Sequence, residues 1–387
     1  MNGCVLSIFG VAPRKIGGVE TFARELSCQL LRAGSDSVLC FLENPTPAVR
    51  QFLDLPGVTI ETAQWQGWMA ARNMMRLLNR YHPDILHLHF LNPISIYPWL
   101  ARSYSIRKVF LTDQISRPEG YVPNRNPWWK TRLRQILNLP MTGIVAVSDF
   151  NARCGEALGL VRDGRLVRIY NGVDLTRPLG DGVAFRRKYS IPEGRSIVLQ
   201  VSWIIPEKGI LDLLDAARLI LSTRTDVHFV FVGEGEYRRE YTEYAVKAGI
   251  ADHVTWTGLL NDPLAEGVYN AADVACQLSR FQEAFGWVIA EAMTCRRPVV
   301  ATDVGGIPEI VQDGISGFIV PPRQPNLGAQ RILQLLDSAP LRRQMGDAGR
   351  ARVEDLFDLS HKVAELMDLY GLEVPSARGA APEGVER

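Results

Sequence analysis

The chain contains 387 residues, too many for one ordinary hydrophobic core, so we expect two domains. Its composition, 47% hydrophobic and 22% charged, is typical of a soluble globular protein. A formal net charge of +1 excludes a strong overall field that would attract nucleic acid or an anionic membrane. No segment of the sequence approaches the ~20 consecutive apolar residues that span a bilayer.

The amino-terminal residues and the cysteines bear on the cellular compartment. The opening residues MNGCVLSIFGVAPRK lack the basic segment of a secretory signal, and their apolar run is too short for one. The six cysteines are dispersed, and no pair has C-x-x-C spacing. These features predict reduced thiols and a cytoplasmic protein.

The first half alternates short β-branched runs with helical patterns almost from its first residue. The predicted strands span residues 5–9, 37–41, 85–89, 108–112 and 143–148. Helical patterns lie between most of them, for example at 19–32 and 68–81. This alternation predicts a parallel sheet covered by helices on both faces.

The second half repeats the alternation. Its predicted strands span residues 197–202, 227–232, 254–257, 274–278 and 299–302, and its helices include 208–222 and 326–337. We therefore predict an α/β protein with two Rossmann-like, doubly wound domains that face each other across a cleft. Ligands of such domains bind at the carboxyl ends of the strands.

The boundaries of the domains follow from composition. Residues 170–194 are rich in Gly, Pro and Asp and are typical of a linker. We place the first domain at 1–175 and the second at 176–357, and we expect a helix at about 358–372 to pack back on the first. Residues 373–387 are of low complexity and predict a disordered tail.

The segment EAFGWVIAEAM, residues 283–293, carries two glutamates after the predicted strand 274–278. A helix is expected to begin near Gly286, and its first turn would present unpaired N–H groups that suit a phosphate. Glu283 precedes this helix and Glu291 lies on it, so two hydrogen-bond acceptors could hold hydroxyl groups on either side of a diphosphate. The alternative is an ordinary βα unit with one acid at the helix start and one facing solvent.

The surroundings of this segment resemble a known family. Residues 270–322 are similar to the C-terminal donor-binding domain of the family-four retaining glycosyltransferases, which have the GT-B fold. The matching positions are Glu283, Phe285, Gly286, Glu291, Pro298, Val299, Val300, Gly305 and Gly306. The resemblance implies that Glu283 touches the donor sugar and that Glu291 holds the ribose of the nucleotide. It also implies that backbone amides after the Phe-Gly pair bind the diphosphate.

The resemblance extends over nearly the whole chain. Gly17 and Gly18 match the family's glycine loop, which lines the cleft near the transferred sugar, although such a pair alone would indicate only a turn. Residues 232–235 and 257–259 match loops that wall the nucleotide base. The donor-binding set implied in this way comprises Gly17, Trp203, Gly233, Gly258, Leu259, Phe285, Gly286, Trp287, Val288 and Glu291.

Residues 201–216 are similar to the strand, loop and helix that carry a phosphate-binding arginine and lysine in the family. Lys208 matches the lysine, but Trp203 stands at the arginine position. A charge-assisted contact worth about 1.5–3 kcal/mol is missing there unless another residue, such as Arg280, supplies it. The alternative for Lys208 is an ordinary solvated lysine at a helix start, where a cation opposes the helix dipole.

His87 and His89 lie on one face of the predicted strand 85–89, because side chains alternate along a strand. Two histidines could suggest a metal, but no third ligand is evident, and a packed histidine is the commoner outcome. In the family, the corresponding strand carries a histidine at the position of His89, so the resemblance implies a functional role for this residue. At the end of the next strand, where the family usually has a histidine, stands Asp113 or Gln114, and a glutamine cannot shuttle a proton near neutral pH.

Residues 126–140, NPWWKTRLRQILNLP, combine aromatic, basic and apolar side chains. The residues that could contact an anionic membrane surface are Trp128, Trp129, Lys130, Arg132 and Arg134. This hypothesis adds peripheral contact with the inner membrane face to the cytoplasmic location. The alternatives are a frame for the acceptor site, or a surface helix whose aromatic end is tucked into the domain.

The resemblance implies a retaining, metal-independent glycosyltransferase that moves a sugar from a nucleotide-sugar to an acceptor hydroxyl, in polysaccharide, glycolipid or glycoconjugate biosynthesis. The first domain would bind a saccharide, lipid-linked or small-molecule acceptor, and no cofactor is expected. The chain has no D-x-D metal motif. The predicted catalytic set is Glu283, Lys208, Gly18, His89 and Gln114. The alternatives are another GT-B sugar-nucleotide enzyme, such as an epimerase, and a nucleotide-sugar-binding partner with weak catalysis.

Overall fold

The computed structural model describes residues 3–65, 67–162 and 164–373. The strands are β1 Cys4–Phe9, β2 Asp36–Phe41, β3 Val58–Thr62, β4 Ile85–His89, β5 Lys108–Asp113, β6 Gly143–Ala146, β7 Leu166–Arg168, β8 Ser196–Val201, β9 Val227–Val232, β10 Val254–Gly258, β11 Val274–Gln277, β12 Val299–Thr302 and β13 Gly317–Val320. From residue 374 onward, the tail predicted at 373–387 lies outside the described residues.

The helices cover both faces of the sheets. They are α1 Gly18–Arg32, α2 Pro47–Leu53, α3 Gly67–Tyr81, α4 Tyr97–Ser103, α5 Trp128–Leu137, α6 Asp149–Leu158, α7 Gly182–Lys188, α8 Ile210–Leu221, α9 Arg238–Lys247, α10 Val268–Ala271, α11 Trp287–Thr294, α12 Ile307–Ile310, α13 Pro325–Leu336, α14 Ala339–Leu356 and α15 Leu359–Tyr370. Short 3-10 turns stand at Pro206–Lys208 and Ala251–His253.

The strands form two separate parallel sheets. The first sheet has the order β3-β2-β1-β4-β5-β6-β7 and the second has the order β10-β9-β8-β11-β12-β13. In each sheet the strand order reverses beside the first strand of that half, β1 or β8, which is the arrangement of a doubly wound domain. The prediction of two doubly wound parallel sheets is confirmed.

The sequence prediction missed three strands, all at or near sheet edges. β3 and β7 have no buried residue, so neither gives the apolar run of a central strand. β13 lies at the edge of the second sheet and begins with a glycine, which weakens its strand pattern. The end of one predicted strand was also wrong. The predicted strand 143–148 ends at Ala146, and Ser148 instead caps α6 by accepting a hydrogen bond from the Asn151 amide at 3.1 Å.

The last helix returns to the first sheet. On α15, Leu366, Met367 and Tyr370 are buried in one cluster with Leu26 and Leu30 of α1. Each fully buried apolar side chain of this kind contributes about 1.5–3 kcal/mol. The helix α15 therefore adds buried apolar side chains to the core of the first half.

The two halves touch on both sides of the space between their strand ends. The backbone of Arg117 exchanges two hydrogen bonds with that of Gln282, at 2.9 and 3.0 Å. On the other side, the Ile16 amide donates to the Asn261 carbonyl at 2.7 Å. The Glu309 carboxylate accepts hydrogen bonds from the first two amides of α6, both at 2.7 Å. A cavity lined by loops of both halves lies at the carboxyl ends of the two sheets.

Candidate active site

A sharp turn after β8 brings Lys208 to the cavity. Gly209 has a φ of +66°, and a Cβ there would lie 1.7 Å from the carbonyl oxygen of Leu278. Only glycine allows this close approach of the two strand ends. The predicted helix 208–222 therefore begins later, at Ile210, and Lys208 lies in the 3-10 turn before it.

Glu283 lies in the loop after β11 and is held by several donors. The Lys208 ammonium contacts Oε1 at 2.7 Å, and the Ser279 hydroxyl donates to the same oxygen at 2.6 Å. The Gln277 amide adds a contact at 3.1 Å, and Ser116, from the first half, donates to Oε2 at 3.4 Å. Burial raises the pKa of the Glu283 carboxyl, but these donors outweigh burial and the net shift is downward. The carboxylate is therefore ionised in the cavity.

Lys208 is not the solvated surface lysine that the alternative interpretation describes. Its side chain is 18% exposed, and its ammonium is paired with Glu283. The cation therefore neutralises a buried carboxylate of the same site. The sequence did not indicate this pairing, because the two residues are 75 positions apart.

The loop between β11 and α11 presents the first turn of that helix to the cavity. Gly286 has a φ of +139°, which L side chains rarely adopt, and it stands immediately before Trp287. The first amides of a helix have no partner within the helix, so this turn offers donors and the positive end of the helix dipole. The geometry suits an anion.

Glu291 lies in the interior of α11 and is buried, although it lines the cavity. The Tyr269 hydroxyl donates to its Oε2 at 2.6 Å. Burial raises the pKa of the Glu291 carboxyl, and the Tyr269 hydrogen bond opposes this increase. The alternative of an acid facing solvent is therefore wrong for Glu291.

The glycine loop of the first half packs directly on the second half. A Cβ at Gly18 would lie 2.4 Å from the Trp287 ring, whose indole N–H donates to the Gly172 carbonyl at 3.2 Å. Gly17 stands immediately before α1 as its N-cap, and its amide donates to the Glu20 carboxylate at 3.0 Å. Burial raises the pKa of Glu20 to about 7. The cavity therefore has a third buried carboxyl, which the sequence prediction missed although Glu20 stands next to the glycine motif.

The end of β5 resolves the choice between Asp113 and Gln114. The Asp113 carboxylate pairs with Arg117 at 2.6 Å, whereas Gln114 lines the cavity. The Gln114 amide group donates to Asn171 at 3.2 Å, and its buried Oε1 has no hydrogen-bond partner among the described residues. That oxygen is an acceptor available to a ligand hydroxyl.

The two histidines of β4 lie below the cavity. His89 is fully buried, and its ring stacks on Phe9 with centroids 4.5 Å apart. Burial lowers the pKa of His89 to about 3, so the ring stays neutral. His87 bonds Thr112 at 2.7 Å and also contacts the Tyr370 hydroxyl. The structure does not bring either ring to the cavity wall.

Most predicted site residues meet in one cavity of about 500 Å³. The lining includes Gly17, Gly18, Gln114, Trp203, Lys208, Gly233, Leu259, Glu283, Phe285, Gly286, Trp287, Val288 and Glu291. Gly258 is not part of the wall, but its carbonyl accepts a hydrogen bond from the Gly233 amide at 2.9 Å, which joins the two loops. The sequence motifs therefore converge on one site, with His89 outside it.

Arg280 does not replace the arginine missing at Trp203. Its guanidinium binds Asp212 through two hydrogen bonds, at 2.8 and 2.7 Å, and the residue does not line the cavity. The charge of Arg280 is therefore already matched within the second half.

The helix α5 lies on the surface of the first half, away from this cavity. None of its residues is buried, and Trp128 and Trp129 are 78% and 53% exposed. The alternative in which the aromatic end is tucked into the domain is therefore wrong. Throughout the described ranges, no helix is long and apolar enough to cross a bilayer.

The fold and the sequence both match known proteins. Residues 16–177 match the family model described as Glycosyltransferase Family 4, and residues 183–352 match the model described as Glycosyl transferases group 1. The structure of the Anabaena protein HepE in complex with UDP-glucose superposes with a TM-score of 0.77 at 18% identity, over 95% of this chain and 99% of that one. The predicted GT-B fold is confirmed.

Two relatives illustrate the extent of the sequence similarity. The phosphatidyl-myo-inositol mannosyltransferase of Mycobacterium tuberculosis is 30% identical over 297 residues, 74% of this chain and 73% of that protein. The alpha-D-kanosaminyltransferase of Streptomyces kanamyceticus is 33% identical over 186 residues, 48% of this chain and 47% of that protein, so this match spans about half of the relative. The chain belongs to the glycosyl transferases group 1 family and is a glycosyltransferase.

Proposed function

We propose that the protein transfers a sugar from a nucleotide-sugar to an acceptor hydroxyl with retention of anomeric configuration. The observation that carries this proposal is the pair of buried glutamates, Glu283 and Glu291, on either side of the first turn of α11 in one cavity. We assign the donor to residues 176–357 and the acceptor to residues 1–175, because the cavity wall combines loops from both ranges.

The charges of the site suggest a role for each part. The first amides of α11 would hold the diphosphate, since a helix N-terminus favours an anion. Glu291 would accept hydrogen bonds from the ribose, and the ionised Glu283 would stabilise positive charge that develops on the sugar as its bond to phosphate breaks. Lys208 would stabilise the leaving diphosphate, sharing its charge between Glu283 and the phosphate.

The first half would position the sugar and the acceptor. Gly17 and Gly18 form the narrow wall opposite α11, and the Oε1 atom of Gln114 is free to accept a hydroxyl. We assign no protein nucleophile. The oxygens of Glu283 already accept hydrogen bonds from several donors, and this lowers their reactivity toward the anomeric carbon.

The proposal includes transfer without a metal or another cofactor. The sequence has no D-x-D motif, and the α11 amides together with Lys208 provide positive charge at the proposed diphosphate site. Addition of a chelator should therefore leave the rate of transfer unchanged. A rate that depends on added Mg²⁺ or Mn²⁺ would contradict this part of the proposal.

UDP is the first nucleotide to test, because the related fold of HepE was solved with UDP-glucose. The test is the melting temperature of the protein with UDP, GDP and ADP, since a ligand that binds only the folded state raises it. The proposal predicts an increase with at least one of the three. Proton NMR of the product then reports the anomeric configuration, and an inverted product would refute retention.

A second candidate is a partner protein that binds the nucleotide-sugar but catalyses poorly. Trp203 and Gln114 favour it, because neither side chain supplies the cation or the proton-transfer group expected at its position. Slow release of nucleoside diphosphate from a nucleotide-sugar would favour the transferase. Epimerisation of the donor without an acceptor would instead favour a GT-B epimerase.

We also propose that α5 contacts the surface of an anionic membrane from the cytoplasmic side. The two exposed tryptophans stand beside Lys130, whose ammonium lies 5.3 Å from the centroid of the Trp129 ring. Leu133 and Ile136 are also more than half exposed. Exposed aromatic and aliphatic side chains with neighbouring cations suit the interface between lipid headgroups and acyl chains. A lipid-linked or glycolipid acceptor would then meet the first half at the membrane.

A further inference from the structure

The proposed diphosphate site has few cations that are not already paired with a protein carboxylate. Trp203 provides a neutral indole at the position where an arginine was expected, and Lys208 is already paired with Glu283 at 2.7 Å. A diphosphate brings additional negative charge beside the carboxyls of Glu283 and Glu291. A cation that is not already paired with a protein carboxylate would therefore strengthen binding of the diphosphate.

The neighbouring arginines are already paired. Arg280 binds Asp212, Arg177 binds Asp262, and the exposed Arg14 is 3.3 Å from Glu43. These pairs leave one lysine of the cavity wall to be considered.

Lys15 lines the cavity and differs from these arginines. Within the described part of the chain, no carboxylate lies at ion-pair distance from its ammonium. The charge is nevertheless close enough to lower the pKa of both Glu20 and Glu291, against the larger effect of burial. Lys15 is therefore near the glutamate assigned to the ribose, without being bound to it.

The backbone fixes Lys15 opposite α11. The next residue, Ile16, donates its amide to the Asn261 carbonyl of the second half at 2.7 Å. Two residues further on, Gly18 packs so closely on the Trp287 ring that a Cβ would lie 2.4 Å away. Lys15 therefore lies on a loop of the first half, at the side of the cavity where α11 begins.

We propose that Lys15 binds the diphosphate of the nucleotide donor and supplies, from the first half, the positive charge that Trp203 does not provide. This inference rests on the proposed function. The ammonium of Lys15 would approach the phosphates from the side opposite Lys208. A nucleoside diphosphate would then bridge both halves of the molecule, whereas the corresponding nucleoside would not.

The test compares Lys15→Met with the parent protein by calorimetric titration of UDP, GDP and ADP, each beside its nucleoside. The diphosphate that binds the parent should bind Lys15→Met about tenfold to a hundredfold more weakly, because one charged hydrogen bond is lost. The affinity for the nucleoside should not change, since Glu291 and the loops around the base are intact. Lys15→Arg should retain most of the diphosphate affinity.

Lys247→Met is the matched control, because Lys247 is an exposed lysine of α9 that does not line the cavity. It should bind the diphosphate as the parent does. The double variant Lys15→Met with Trp203→Arg should recover part of the lost affinity, and an absence of any recovery would refute the claim that Lys15 compensates for Trp203.

Two other outcomes separate the inference from its premise. If folded Lys15→Met binds the diphosphate as tightly as the parent, the role of Lys15 is wrong while the proposed function stands. If the parent binds none of the three diphosphates, the proposed function fails, and the inference fails with it.

Discussion

Glu291 gives the clearest test of donor binding at a single residue. We assign its carboxylate to the ribose, a part of the donor that does not react, so its hydrogen bonds should be similar in the ground state and the transition state. Loss of a charged hydrogen bond costs about 1.5–3 kcal/mol, so Glu291→Ala should weaken nucleoside diphosphate binding roughly tenfold to a hundredfold. The donor Michaelis constant should increase by a similar factor, with a smaller change in turnover.

The control for this prediction concerns Tyr269, whose buried hydroxyl loses its acceptor in Glu291→Ala. Glu291→Gln keeps an acceptor for Tyr269 but removes the negative charge. Both variants must unfold near the temperature of the parent. Unchanged binding of the diphosphate by folded Glu291→Ala would show that the assignment to the ribose is wrong.

Glu20 should make the stability of the protein depend on pH. Burial raises the pKa of its carboxyl to about 7, so ionisation costs folding free energy. The stabilisation by protonated Glu20 is complete below the pKa that its carboxyl has in the unfolded chain. It is lost as the pH rises through about 7, the pKa of this carboxyl in the folded protein. Between about pH 5 and pH 8, this single group should reduce the free energy of unfolding by about 2 kcal/mol.

Glu20→Gln removes this ionisation and keeps an acceptor for the Gly17 amide. The melting temperature of the variant, relative to the parent, should therefore increase from about pH 5 to about pH 7 and level off at higher pH. Glu193→Gln, which changes an exposed glutamate, should leave the pH dependence of the parent unchanged. Parallel curves for the parent and Glu20→Gln would show that Glu20 ionises normally.

For individual residues, the motifs predicted which side chains meet in the cavity, but not which cation pairs with which carboxylate. Glu283 and Glu291 could be recognised from their spacing around the Phe-Gly pair. The pairing of Arg280 with Asp212 joins residues 68 positions apart, and no local pattern indicates it. Lys15 was overlooked because its importance depends on which other cations are already paired.

The glycine loop between β1 and α1 is the element that brings the halves together. A Cβ added at Gly18 would meet the Trp287 ring at 2.4 Å, whereas one added at Gly17 would meet its nearest atoms at 3.5 Å, an ordinary contact. Gly18→Ala should therefore lower the free energy of unfolding by about 1–3 kcal/mol, as overpacked substitutions do.

Gly17→Ala is the matched control, because Gly17 has an extended backbone with a φ of −130° that alanine adopts easily. Chemical denaturation of the two variants measures the difference. If Gly18→Ala and Gly17→Ala were equally stable, the close packing of this loop on Trp287 would not exist in solution.

The helix α5 should determine the binding of the protein to anionic membranes. Removing the charges of Lys130 and Arg132 together, by substitution with glutamine, should weaken sedimentation with vesicles of phosphatidylcholine and phosphatidylserine. Arg134 is left intact, because it donates to the Leu158 carbonyl at 2.8 Å and helps to hold the helix in place.

The control changes two cations of α9 instead, Arg239→Gln with Lys247→Gln, and should sediment as the parent does. Vesicles of phosphatidylcholine alone should bind the parent less. A parent protein that does not sediment with either kind of vesicle would contradict the membrane hypothesis before any variant is compared.

The sequence predicted central elements better than edge elements. The strands β1, β4, β8 and β9 are rich in apolar residues and buried on both faces, and such segments can be recognised without a structure. β7 has three residues and is partly exposed, so its sequence does not differ from that of a loop. The late start of α8 follows from Gly209, whose left-handed conformation depends on the approach of Leu278 from another strand.

For the molecule as a whole, the central claim is that both halves assemble one site for transfer around Glu283. The carboxylate comes from the second half, and Ser116 of the first half donates to it. The sugar develops positive charge as its bond to phosphate breaks, so the negative charge of Glu283 should matter more for turnover than for binding.

The most direct measurement is the release of nucleoside diphosphate from UDP-glucose, GDP-mannose and ADP-glucose by the parent and by Glu283→Gln. This substitution keeps oxygen and nitrogen atoms near Lys208 and Ser279 while removing the charge. We expect slow release by the parent from at least one donor, and release about a hundredfold slower by Glu283→Gln, with nucleoside diphosphate affinity changed much less. Equal rates for folded parent and variant, or a parent that binds a donor without ever releasing its nucleotide, would contradict the account.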